Sequence, residues 1–210
     1  MRTLRTTLAA VATAVLLVTA ASQAPATPLP PIGQEFEVPL RIVGLAVVQD
    51  GVQRTYDATG TWKVRVEANP EAPLTSVLLD TNGFTLTGRS TGGPDIRTIT
   101  IRQTGADLRS VLRLTQAFPP KYEQLMVQSF ATVFDQAASP INLVTKEPAR
   151  LLATLTQFPP TGELFKLQNP VALVDPANPA ATLATIPTLP LKVGVPVHKT
   201  VNFSQLSSAN

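Results

Sequence analysis

Residues Thr59 to Glu67 read TGTWKVRVE. In an extended chain Trp62, Val64 and Val66 fall on one side, and Lys63, Arg65 and Glu67 on the other. Successive side chains of a strand point in opposite directions, so this alternation suits a strand with one buried face and no helix. The pattern recurs. Glu35 to Val38 (EFEV) alternates, and Leu40 to Val48 continues as a β-rich run. Ile96 to Gln103 (IRTITIRQ) sets Ile99 and Ile101 against Thr98, Thr100 and Arg102. The expected fold is therefore all-β, an antiparallel β-sandwich or flattened β-barrel of about ten to twelve short strands. Hydrophobic residues make up 44% of the chain and charged residues only 15%. That supplies a core but not the charged stripes of a helical bundle.

Turn residues punctuate the pattern. Asp50-Gly51 lies between two β-prone runs and marks a tight hairpin, because glycine accepts the positive φ such a turn demands. Asn82-Gly83, just before Phe84-Thr85-Leu86-Thr87, reads as a second hairpin. Asn69 to Pro73 and Ser90 to Pro94 read as loops. Residues 35–103 are thus expected to form a meander of about five or six strands. Thr182 to Phe203 alternates again but is interrupted by Pro187, Pro190 and Pro196. Prolines at that density are expected on edge strands, where a missing N–H faces solvent.

The phrase LTQAFPP (Leu114 to Pro120) returns as LTQFPP (Leu155 to Pro160). With Phe118 set against Phe158, Glu123 meets Glu163, Gln128 meets Gln168 and Asp135 meets Asp175 without a gap. Ordered identities with apolar positions in phase imply an internal repeat of about 40 residues, in units 109–148 and 150–189. The phrase itself reads as a corner, with the aromatic tucked into the core and two prolines ending the strand. Tyr122, Leu125, Met126, Phe130, Val133 and Phe134 fall near a 3.6 period, which leaves one short helix near 121–135 open. Opposing it, Phe130 aligns with Pro170, and a proline costs a helix interior about 3 kcal/mol.

The N-terminus carries an address. Arg2 and Arg5 precede an uncharged apolar run from Leu8 to Ala21, followed by small residues and Ala24-Pro25-Ala26. This is the layout of a secretory signal peptide, residues 1–26, cut within 20–26. The run is shorter than the roughly 20 residues a spanning helix needs. A Pro-rich lead-in (27–34) and a single all-β domain (35–206) follow. The mature chain is expected to be secreted, with no integral membrane insertion after cleavage. An export product without cysteine favours a bacterial source. Of 17 basic residues, cleavage removes Arg2 and Arg5, leaving 15 against 14 acids. No dense positive face remains, so nucleic acid is not an expected partner.

No catalytic, cofactor-binding or metal-ligating residue is assigned, and no cofactor is expected. No Cys is present to act as a nucleophile or zinc ligand. His198, the single His, reads as a strand-surface residue in VPVHKTV, and no G-x-S-x-G elbow or phosphate loop occurs. Asp80-Thr81-Asn82-Gly83 has the spacing that opens a calcium loop, but the twelfth position is Thr91, so a turn explains it better. Glu123, Glu163, Asp135 and Asp175 are the acids a glycoside-type hydrolase would have to bring together. Trp62 reads as core, since it shares a face with Val64 and Val66. Tyr56 is the other polar-tipped aromatic considered. What remains is a secreted non-enzymatic binding or structural protein whose partner is a glycan, an apolar ligand or a surface protein. The alternatives are a carboxylate-dependent hydrolase and a barrel carrying a small molecule or lipid.

Overall fold

The computed structural model describes residues 28–91, 97–105, 109–135, 139–195 and 197–198. Residues 1–26, and with them the export signal, lie outside these, as do Gly92 to Pro94, Pro196 and the side chain of His198. Every regular element among the described residues is a strand.

The first three strands are long: β1 (Glu35–Gln49), β2 (Val52–Ala68) and β3 (Ser76–Ser90). Shorter ones follow: β4 (Thr98–Gln103), β5 (Ser110–Gln116), β6 (Lys121–Gln128), β7 (Phe130–Asp135) and β8 (Ile141–Thr145). The chain closes with β9 (Ala149–Leu155), β10 (Leu164–Leu167), β11 (Val171–Asp175), β12 (Asn178–Thr188), β13 (Leu191–Val193) and β14 (Val197–His198). All are antiparallel, and thirteen of them follow one hydrogen-bonded order, β12-β11-β8-β7-β4-β3-β2-β1-β13-β10-β9-β6-β5, with β14 added on β1.

Two further pairings, β12 with β1 and β3 with β5, fold both ends of this order back onto the long strands. The result is two closed circuits of eight strands sharing β1, β2 and β3. The first runs β1-β2-β3-β5-β6-β9-β10-β13 and returns to β1. The second runs β1-β2-β3-β4-β7-β8-β11-β12 and returns to β1. Closure removes free edges, the standing hazard of an all-β fold. The fold is of the flattened-barrel class that the alternation implies.

The long strands change partners halfway. Along β1, Leu40 to Ile42 face β13, and Ala46 to Gln49 face β12. Along β3, Ser76 to Leu79 face β5, and Thr85 to Arg89 face β4. Each change sits at a bulge. In β1 it falls between Ile42 and Leu45, where Gly44 has φ +75° and its N–H donates to Asp57 Oδ1 at 2.8 Å. In β3 it falls at Asn82, between the pairs Lys63–Gly83 and Val64–Thr81. These points mark a waist between the circuits. The chain also crosses the waist at Ser129, at 146–148, at 168–170 and at 189–190. Each of the units 109–148 and 150–189 therefore gives one hairpin to each circuit: β5–β6 and β7–β8 from one, β9–β10 and β11–β12 from the other.

Several expectations are corrected here. Asn82-Gly83 is a bulge inside β3, not a hairpin, so the described residues of 35–103 form four strands instead of five or six. The helix left open near 121–135 is β6 and β7. Tyr122, Met126, Phe130 and Phe134 are spaced by four, which is near one helical turn but also an even number, and all four point inward on strands. Pro187 lies in β12, which is paired on both sides. It sits at a bulge, where Ala46 faces Thr188 but Val48 faces Thr185, and not on an edge. Asp50-Gly51 is the tight turn expected, with φ +51° and +74°, the two positive values that favour Asp-Gly in two-residue hairpins.

Inward residues form one apolar cluster. It includes Trp62, Val64, Val66, Ile99, Ile101, Phe130, Phe134, Phe165 and Leu191. Phe84 stacks on Phe130 at 6.4 Å, and Tyr56 packs on Phe134 at 6.4 Å. Close approach across the long strands requires glycine at two points: a Cβ on Gly60 would lie 1.8 Å from the Thr85 carbonyl oxygen, and one on Gly88 would lie 2.5 Å from that of Asp57.

Candidate functional site

Among the described residues, six polar side chains are buried in this apolar interior: Ser76, Thr81, Ser110, Gln124, Gln128 and Thr132. Burial of an amide or hydroxyl is unfavourable unless its hydrogen bonds are replaced. At the waist they are. The Thr81 hydroxyl accepts from Trp62 Nε1 at 3.0 Å and from Gln128 Nε2 at 2.8 Å. Gln103 Nε2 donates to the Thr81 carbonyl at 2.9 Å. Strands β2, β3, β4 and β6 are thus tied at one threonine, beside the bulge where β3 changes partner. Ser110 is also engaged, through Val127 N–H at 2.9 Å.

Gln124 is different. It lies on the inward row of β6, between Tyr122 and Met126, and is fully buried. Neither its amide nitrogen nor its amide oxygen has a partner. Its neighbour on β9 is Ala153, and that of Gln128 is Ala149, so each inward glutamine sits beside a small side chain. A donor and an acceptor are therefore presented together inside the first circuit, walled by Leu112, Met126 and Leu151. The Thr132 hydroxyl, inside the second circuit, is likewise buried without a partner.

One end of the first circuit is covered by the lead-in. Gly33 N–H donates to the Val66 carbonyl at 2.7 Å, and Val66 N–H donates to Gln34 at 2.9 Å. The Tyr122 hydroxyl donates to the carbonyl of Pro28, and Leu29 packs against the core. Residues 28–34 are thus part of the wall. Burial raises the pKa of Tyr122 above its ordinary value. It raises that of Tyr56 as well, partly offset by Arg54 and Arg97.

Among the described residues, grooves on the outside include three at the waist. One, about 800 Å³, is wide open, over Asp80–Thr85 and Arg102–Gln103. A second of about 340 Å³ lies between 146–150 and 169–172. The third, about 260 Å³, is apolar, between Leu164–Leu167 and Pro187–Pro190.

Three of the four acids weighed as hydrolase candidates have structural partners. Glu123 pairs with Arg113 at 2.7 Å on the outer face. Asp135 accepts from Thr98 at 3.2 Å, and Asp175 from Ala177 N–H at 2.8 Å, each at a strand end of the second circuit. Glu163 lies in the loop before β10 with one carboxylate oxygen buried and unpartnered. The structure does not gather Glu123 and Asp135 into one site: β6 and β7 follow one another in the chain but pair with different strands, one in each circuit. Asp80 and Asn82 belong to the β3 bulge, and no cluster of His, Asp and Glu able to hold a metal occurs among the described residues. Trp62 is core, as expected, and Tyr56 is buried with it. His198 lies in β14, which pairs with β1 at Phe36 and Glu37. Sequence reasoning missed Gln124. The available signal was a polar residue on the inward phase of an otherwise apolar row.

No family model matches the chain, and no curated protein matches it. Among solved structures, the chain is similar to DynF from the dynemicin biosynthesis pathway of Micromonospora chersina. The likeness has a TM-score of 0.57 at 18% identity, covering 86% of this chain and 89% of that one. At that identity it bears on the fold.

Proposed function

We propose that the protein is a secreted, non-enzymatic binding protein that takes up one small, mainly apolar molecule in its first circuit, with Gln124 as the polar anchor. The observation that carries this is the pair of unpartnered amide atoms on a fully buried side chain. Leaving such groups unpaired costs about 1–3 kcal/mol each, and native interiors rarely tolerate it without a reason. A ligand offering one acceptor and one donor removes that cost. An eight-stranded circuit is about wide enough for side chains or one small ligand, and the neighbour of Gln124 on β9 is the small Ala153. The solved neighbour works in the biosynthesis of dynemicin, which is consistent with a fold placed among small organic molecules. Export rests on the sequence of residues 1–26.

The test is titration with N-phenyl-1-naphthylamine, an apolar fluorophore with an N–H donor, and then with a panel of small apolar metabolites. Gln124→Leu is expected to keep the fold, raise Tm and weaken binding at least about tenfold, the worth of one buried hydrogen bond. Binding that is unchanged in Gln124→Leu rejects the site. Mass spectrometry of the protein in culture medium tests export: a mature N-terminus within 20–26 supports it, and intact Met1 on protein retained in cells overturns it.

A further inference from the structure

The Gln124 amide leaves two atoms of one rigid group, Nε2 and Oε1, buried without a partner. Strand register sets what surrounds them. Leu112 lies across on β5 and Ala153 across on β9, while Tyr122 and Met126 stand two residues away along β6. The Tyr122 hydroxyl is already spent on the carbonyl of Pro28. Both ends of the circuit are covered. At the waist Trp62, Thr81 and Gln128 bond to one another. At the other end Phe158 packs edge-on against Phe36 at 5.3 Å and lies against the core. Phe118, its counterpart in the repeated phrase, is 90% exposed and takes no part, contrary to the expected corner.

This environment restricts the chemistry of a ligand in two ways. The first is charge. No charged residue is buried among the described residues, so an ionised carboxylate or ammonium would enter the circuit without a counter-charge, at a high desolvation cost. The second is shape. A carboxamide holds its donor and its acceptor side by side in one plane, so one ligand edge with an acceptor beside a donor meets both at once. Exchanging the amide nitrogen and oxygen leaves that requirement unchanged. A cis amide within a ring has such an edge and no N–H left over. A primary carboxamide would bring a further N–H with no acceptor beside it. We infer that the first circuit takes a neutral lactam, whose N–H and C=O close two parallel hydrogen bonds with the Gln124 amide while the rest of the ring system packs on Leu112, Met126 and Leu151. The inference rests on the interior site proposed above and names the ligand class that site selects.

The test displaces N-phenyl-1-naphthylamine from the full chain at neutral pH with four bicyclic compounds of similar size. These are carbostyril, which is a lactam, its N-methyl derivative, quinoline and naphthoate. Carbostyril is expected to bind at least about tenfold more tightly than quinoline or the N-methyl compound, the worth of one buried hydrogen bond. Naphthoate should not compete. Gln124→Leu should erase the preference for carbostyril and keep the affinity for quinoline. The isotope-edited infrared spectrum of bound carbostyril should show its carbonyl stretch lowered by hydrogen bonding, and this readout needs only the parent protein, so a variant that fails to fold does not leave the matter open. Carbostyril and its N-methyl derivative binding alike, with the fluorophore still weakened by Gln124→Leu, overturns the lactam edge and leaves the interior site standing. A preference for carbostyril that survives in Gln124→Leu overturns it by placing the lactam elsewhere. Folded parent protein that binds neither the fluorophore nor carbostyril overturns both readings.

Discussion

Thr81→Val removes one oxygen atom from the waist and keeps nearly the same shape. In the native protein that hydroxyl accepts from Trp62 Nε1 and Gln128 Nε2, and both donors belong to side chains shut away from water. The valine leaves two buried donors unpaired. Each costs about 1–3 kcal/mol, so the pair costs about 2–6. Relief of the threonine's own desolvation trims the sum toward about 3 kcal/mol. In a domain of this size 1 kcal/mol moves Tm by roughly 2–4 °C, so Tm should fall by about 6–12 °C. Urea unfolding followed by Trp62 emission measures the loss directly. Thr81→Ser retains the hydroxyl and should stay close to the parent. In a Gln128→Leu background, which removes one donor, Thr81→Val should cost about 1 kcal/mol less, the signature of direct coupling. A Thr81→Val chain within about 0.5 kcal/mol of the parent, or one equally harmed in both backgrounds, would show that the waist is not held by this network.

Gly60→Ala and Gly88→Ala should each destabilise by several kcal/mol or prevent folding, because the new methyl meets backbone, whereas Gly83→Ala, with nothing nearer than Lys63 Cδ at 3.7 Å, should be well tolerated; thermal melts separate them. The chain has two tyrosines, and burial raises both phenols. The folded state therefore keeps those protons to higher pH than the unfolded chain, and the associated stability is intact below about pH 10 and lost as pH rises through the folded values. Ultraviolet titration should show no early-ionising tyrosine in the native protein, and Tyr122→Phe should lessen the alkaline loss. Arg113→Ala breaks an exposed ion pair and should change stability by no more than about 0.5 kcal/mol in a chemical melt.

Strand identity was legible because period two is dictated by backbone geometry. Trp62, Val64, Val66, Ile99 and Ile101 all point where the alternation put them. The Asp50-Gly51 turn was legible for the same local reason. Asn82-Gly83 misled because a bulge and a hairpin draw on the same small, permissive residues; only the partner strand decides, and β2 runs on past Gly83 without turning. The double circuit was not legible at all. It is made by pairings such as Gln49 with Ala184 and Leu79 with Ser110, whose partners are remote in the chain and whose residues carry no mark of each other. Gln124 and Thr81 look alike in sequence, as polar residues on inward phases. One proves satisfied and the other does not, and that depends on which side chains the closed circuits bring beside them.

The outer edge of β1 is finished by β12, β13 and β14, and by nothing earlier. A ribosome delivering this chain makes the three shared strands first, yet neither ring can shut until residues 178–193 have emerged. Through most of synthesis the nascent polypeptide is an open ribbon with a bare, hydrogen-bond-hungry side, exposed to mispairing and to holdase chaperones.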